Sequence, residues 1–133
     1  MRGAARMWFQ KASTAMKING TEFGSITIDK ETYPYDVLIR LSGEIRKRKK
    51  RLSKERYGTS HIVSLEEAEF VHEKGSDLLI VGTGQDGNLH LSPEAAQFFA
   101  RKECNVLAEP TPRAIVTFNH ATGHKIGLFH VTC

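Results

Sequence analysis

The sequence predicts an α/β protein with a mixed sheet, and three observations carry that prediction. From Ser64 onward, apolar runs of strand length alternate with helix-capping signatures. A strand–turn–strand signature precedes them. No apolar run approaches the roughly 20 residues that span a bilayer, so an integral membrane helix is excluded. Strands and helices that alternate along one chain imply right-handed crossovers and a parallel core sheet, here fronted by an antiparallel N-terminal hairpin. At 133 residues the chain suits one domain that buries a core without disulfide or metal staples. Residues 17–133 are expected to form it. Residues 1–16 read as an extension outside the fold, disordered or arising from an upstream start. Their positive charge without any acid leaves a short mitochondrial presequence as the alternative.

The elements follow in order. In FGSITID, from Phe23, the residues Phe23, Ser25 and Thr27 fall on one side and Ile26 and Ile28 on the other, as in a half-buried strand. YDVLIRL, 35–41, is a stronger strand, and Ser42-Gly43 turns it back into EIRKRKK. LSKERYG forms a helical turn capped by Ser53 and stopped by Gly58, followed by extended HIVS. Ser64 then caps a helix through Lys74, with Glu67 completing a capping box and Gly75 at the left-handed stop. Leu65, Ala68, Phe70 and Val71 make its apolar face. DLLIVG, 77–82, is apolar throughout, which suits a strand covered on both faces. Ser92-Pro93 starts a helix to about Lys102, CNVLAE is another buried strand, and Thr111-Pro112 starts a third helix to about His120, ended by Gly123. KIGLFHV, 125–131, is the last strand.

Charge is unevenly distributed. The segment Arg46–Arg56 holds eight basic residues and one acid, whereas the chain outside it and outside residues 1–16 has 8 basic and 14 acidic residues. An acidic body thus carries one basic segment. Arg46, Lys47, Arg48, Lys49, Lys50, Arg51, Lys54 and Arg56 are the candidates for a nucleic-acid or polyanion surface. No aromatic platform is interleaved with them, only Tyr57 beside them, so a solvated, Lys-rich sheet edge is the competing reading. Cys104 and Cys133 stand far apart without a CxxC, which suits a reducing interior.

GTGQDG, 82–87, fits a dinucleotide fingerprint after a buried strand, with Glu109 placed for a ribose. In a working fingerprint, though, the last glycine lies in the first helical turns, and here Asn88–Leu91 intervene before the Ser92-Pro93 cap. A strand-end turn is the simpler reading. No histidine pair has zinc-site spacing, because Gly123 separates His120 from His124, so no metal or other cofactor is expected. A nucleophilic pair from Cys133 with His61 or His130 would have to be assembled by the fold, and an α-carboxylate beside a final cysteine disfavours its thiolate, so a tail packed onto the sheet is the simpler reading and no catalytic residue is expected.

The segments YGTSH, LLIVGTG, EPTPRAIVTFN and GLFHVTC, in this order and spacing, resemble an uncharacterised family. It includes the adipogenesis-associated domain-containing protein, the mitochondrial complex I assembly factor 3 and small archaeal and bacterial members. The resemblance covers nearly all of residues 17–133. It implies a compact three-layer domain with a mixed sheet, about three helices and a small extra β layer. It implies no established reaction or cofactor. Its complex I branch implies an assembly role in mitochondria, from which this chain departs in its basic run and weak leader. Carried over by motif, the candidate ligand-binding positions are Gly58, Thr59, His61, Gly82, Gly84, Thr111, Asn119, His130 and Cys133. Strand ends such as Gly82 and Gly84 are where open α/β sheets bind ligands, and the Thr111 helix start favours an anion.

The resulting expectation is a small soluble, cytoplasmic, non-catalytic protein that acts through protein contacts as an adaptor or assembly factor, with a homodimer through an exposed edge strand. The alternatives are polyanion binding through 46–56 and a small-anion or nucleotide-like site near Gly82–Gly84.

Overall fold

The computed structural model describes residues 16–133, so all of the extension expected over 1–16 but its last residue lies outside the described residues. That residue, Met16, packs against the core around Ile18. Three short strands come first, β1 (Ile18–Glu22), β2 (Ser25–Ile28) and β3 (Glu31–Tyr33), antiparallel in chain order. β2 keeps the predicted alternation, with Ile26 and Ile28 buried. β4 (Val37–Ile39) and β5 (Ile45–Lys47) form the predicted hairpin, Ile39 opposite Ile45. Then follow α1 (Arg51–Tyr57), β6 (Ile62–Val63), α2 (Leu65–Val71), β7 (Leu78–Thr83), β8 (His90–Leu91), α3 (Pro93–Arg101), β9 (Asn105–Glu109), α4 (Thr111–His120) and β10 (Lys125–His130).

The main sheet has five strands in the order β9-β7-β10-β4-β5. β7 runs parallel to both β9 and β10, while β10 and β4, and β4 and β5, are antiparallel, so the sheet is mixed. One face is covered by α2 and α3, whose Ala68, Val71, Ala95 and Phe99 meet Leu38, Leu79, Val81 and Leu128. The other is covered by α4 and the three-stranded sheet, where Ile18, Ile26, Ala114 and Phe118 meet Val37, Ile80 and Phe129. These are the three layers that the family resemblance implied. Each fully buried Leu, Ile or Phe in them contributes roughly 1.5–3 kcal/mol.

Local chemistry departs from expectation in four places. Ser53 does not cap α1: it lies inside the helix and is buried, because its hydroxyl is used by tertiary partners. Gly58 does stop that helix, in the left-handed conformation at φ 72°. α2 ends at Val71 rather than Lys74, its cap His72 already extended. CNVLAE is an edge strand rather than a buried one, with Asn105, Leu107 and Ala108 exposed. Thr111 begins α4 without capping it, since its hydroxyl bonds across to the sheet.

Candidate functional site

The site follows from strand register. Val37 lies opposite Phe129 on one side and Lys47 on the other, so the preceding residue, Asp36, falls between His130 and Arg48 at the end of the sheet. The side chains use that adjacency. Asp36 Oδ2 is 2.8 Å from His130 Nδ1 and accepts from Arg48 Nη1 at 2.9 Å, while Oδ1 accepts the Val131 N–H at 2.8 Å. Arg48 then reaches α2, donating through Nε and Nη2 to the two oxygens of Glu67 at 2.7 and 3.0 Å, and through Nη2 to Ser60 O at 2.6 Å. Ser53 Oγ donates to Glu67 Oε1 and accepts the Ser64 N–H at 2.9 Å. The Ser64 hydroxyl caps α2 as predicted, accepting from Glu67 N. The other half of the capping box is absent because the Glu67 carboxylate is drawn to Arg48.

This knot is dry: the Arg48, Asp36 and Glu67 side chains are at most 1% exposed. Burial by itself would raise the Asp36 pKa. The His130 hydrogen bond and charge, the Val131 N–H and Arg48 outweigh it and bring the carboxyl down to about 2. Asp36 is therefore ionised at neutral pH, and His130 Nδ1 carries the proton it donates. That leaves His130 Nε2 facing the Thr132 hydroxyl at 3.2 Å. A buried pair of this kind adds little net stability over apolar packing, but removing one partner strands a buried charge.

Beyond His130 the chain is held residue by residue. Gln85 N–H donates to Thr132 O at 2.7 Å, and Asn88 N–H to Cys133 O at 3.0 Å. Gly84 has φ 106°, and a Cβ there would stand 2.7 Å from the carbonyl carbon and oxygen of Cys133 and 2.8 Å from the His130 ring. Only glycine fits that contact. Thr111 ties the same corner, its hydroxyl accepting Gly84 N–H at 2.9 Å and donating to His130 O at 2.6 Å. Across from it, Thr59 Oγ1 accepts the His61 N–H at 3.1 Å. The His61 ring stands edge-on to His130 at 5.3 Å between centroids, with Nε2 3.8 Å from Cys133 Sγ.

The fold thus brings together Thr59, His61, Gly84, Thr111, His130 and Cys133. Gly82 adjoins them, packed against Thr111 and Phe129. Gly58 serves as the α1 stop. Asn119 lies eight positions along α4 from Thr111, about 12 Å at helical rise, where it clamps β1: Oδ1 accepts Ile18 N–H and Nδ2 donates to Ile18 O, both at 2.9 Å. The basic run is partly consumed internally. Arg48 is buried, Arg46, Arg51 and Arg56 pair with Glu44, Glu55 and Glu66, and Lys50 Nζ is 4.0 Å from Asp36. Lys47 and Lys49 lie over the rings of Tyr35 and Phe70, and Lys54 is exposed on α1. Among the described residues, no group of three or more His, Cys, Asp or Glu side chains could hold a metal ion. No helix there is long and apolar enough to cross a membrane.

Residues 18–127 match the family described as a protein of unknown function (DUF498/DUF598). The chain belongs to this family. Among solved structures, it is similar to a conserved hypothetical protein of Pyrococcus horikoshii OT3, with 34% identity and a TM-score of 0.82, over 88% of this chain and 99% of that one. It is also similar to a protein titled MT938, with 30% identity and a TM-score of 0.74, over 89% and 99% of the two chains. A Bordetella parapertussis protein shares the fold at 16% identity and a TM-score of 0.69, over 90% and 98%.

For this DUF498/DUF598 member, reading the sequence missed Asp36 and Glu67 as site residues and gave Arg48 a surface role. Arg48 bonds partners 12 and 19 positions away, and His130 meets Asp36 across 94 positions. The available signal was an acid heading an apolar strand, Asp36 before VLI, which implies a buried counter-charge.

Proposed function

We propose that this protein is a non-catalytic module of the cytoplasm, an adaptor or assembly factor that works through protein contacts, and that the contact is made by adding a strand to the free edge of β9. The observation that carries this reading is the edge itself. β9 pairs only with β7 among the described residues. Asn105 N–H turns inward to Asp77 O at 3.0 Å, so by alternation the N–H and C=O groups of Val106 and Ala108 point outward. The strand, NVLAE, lacks the lysine, proline or bulge that commonly blocks edge pairing. Leu107 and, on α4, Val116 are 45% and 51% exposed. Beside the strand runs a groove of about 380 Å³ floored by Ala96, Ala100, Val106 and Ala108.

The first occupant is a second copy. Two β9 strands laid antiparallel about Leu107 set each Val106 opposite the partner's Ala108, both with outward hydrogen-bonding groups, as an isologous pair requires. Light scattering of the full chain tests it: a dimer is expected, reduced to monomer by Ala108→Pro, which removes an outward N–H and no existing ladder bond. A wild-type chain that stays monomeric at every accessible concentration defeats the reading.

A further inference from the structure

We propose that Cys133 and His61 form a thiol–imidazole pair that captures small-molecule disulfides, making residue 133 a site of mixed-disulfide formation. This goes beyond the adaptor reading and is independent of the β9 edge.

Three features of the corner support it. The backbone on both sides of the thiol is fixed, by Gln85 at Thr132 O and by Asn88 at Cys133 O. Gly84 admits the Cys133 carbonyl so closely that any side chain would displace it. The imidazole is equally constrained: Thr59 holds the His61 backbone, and the His61 ring abuts a second imidazole that Asp36 and Arg48 lock in place. The result is an Sγ to Nε2 separation of 3.8 Å between two half-buried groups that solvent still reaches.

The same corner selects among thiol chemistries. Acyl transfer places negative charge on a carbonyl oxygen and needs free N–H donors to receive it. The Gly84, Gln85 and Asn88 N–H groups beside the thiol are already bonded to Thr111 Oγ1, Thr132 O and Cys133 O. Disulfide exchange moves charge from sulfur to sulfur and needs no oxyanion site. In the step, His61 Nε2 takes the Cys133 thiol proton as Sγ attacks one sulfur of the incoming disulfide. The S–S bond breaks, a new S–S bond forms at Cys133, and the leaving thiolate takes the proton from His61. No oxidant beyond the disulfide is needed. The other thiol, Cys104, is buried beside Ser76, and burial pushes its pKa up, so it does not compete.

The experiment follows exchange of the full chain with oxidised glutathione or an aromatic disulfide at neutral pH, located by mass spectrometry. Native Cys133 is expected to react at least about tenfold faster than the same cysteine in the urea-unfolded chain, a floor set below the roughly 10²–10⁴-fold that a well-positioned base supplies. Half-burial alone would make it slower. His61→Ala is expected to lose that advantage with an unchanged melting temperature, and added imidazole to restore part of it. Should His61→Ala melt early, His61→Gln in its place keeps the comparison. Native Cys133 reacting no faster than in the unfolded chain, or a folded His61 variant with the wild-type rate, overturns the proposal.

Discussion

The two edges of the central sheet are built to opposite rules. At one, β5 carries Arg46 and Lys47 and runs into Arg48, whose guanidinium turns inward and ties the strand end to Asp36 and Glu67. At the other, β9 offers Asn105, Leu107 and Ala108 to solvent with no cation on the strand. Charge on an edge resists pairing with another chain, because a second strand would have to desolvate it; a short edge whose one charge is its last residue, Glu109, resists it less. The conspicuous basic run therefore has two environments that sequence alone merges: Arg48 is a buried fastener, while Arg46 and Lys47 lie on an edge strand.

The contrast can be broken from either side. The largest effect is expected at the fastener: Arg48→Met leaves two carboxylates buried without their cation and should cost about 3–5 kcal/mol in urea unfolding. A loss below about 1 kcal/mol would mean that Asp36 and Glu67 find other partners. Acid should attack the same knot. The folded Asp36 pKa of about 2 lies below the ordinary carboxylate value, so its contribution is present at neutral pH. It is lost as pH falls from about 4 towards 2, amounting to about 2 kcal/mol. Asp36→Asn should flatten that limb of the stability-against-pH curve. At the corner between the edges, Gly84→Ala meets Cys133 and an unfavourable φ, and about 2 kcal/mol of destabilisation is expected from calorimetry.

The smallest stability effects belong to the edges, and there the readout is association. Leu107→Lys puts the β5 rule on β9 and should change stability by less than about 0.5 kcal/mol while abolishing the dimer that light scattering is expected to show. The converse, Arg46→Thr with Lys47→Thr, strips β5 and should raise self-association. If stripping β5 changes nothing, its charges are not what keeps that edge free.

Much of the fold was legible because it rests on local signals. Ile26 and Ile28 alternate, Ser64 and Ser92 cap helices at their own N-termini, and LLIV is apolar on both faces because packed layers cover both faces of β7. The misreadings share one cause. Ser53, Thr111 and Glu67 each have a local use that sequence suggests, and each is drawn instead to a partner far along the chain. CNVLAE looked buried because apolarity does not say how many strands flank a run.

The sequence by itself determined the α/β order and most helix starts, since caps and periodicity are short-range properties, while the motif residues His61, Gly84, Thr111, His130 and Cys133 were singled out by the family resemblance. Only the tertiary structure decided that Asp36 joins His130 to Arg48, that Cys133 faces His61, and that β9 and the basic β5 are the two opposite edges of the sheet. Those depend on strand register and strand order, where one residue of slip or one exchanged neighbour changes every partner.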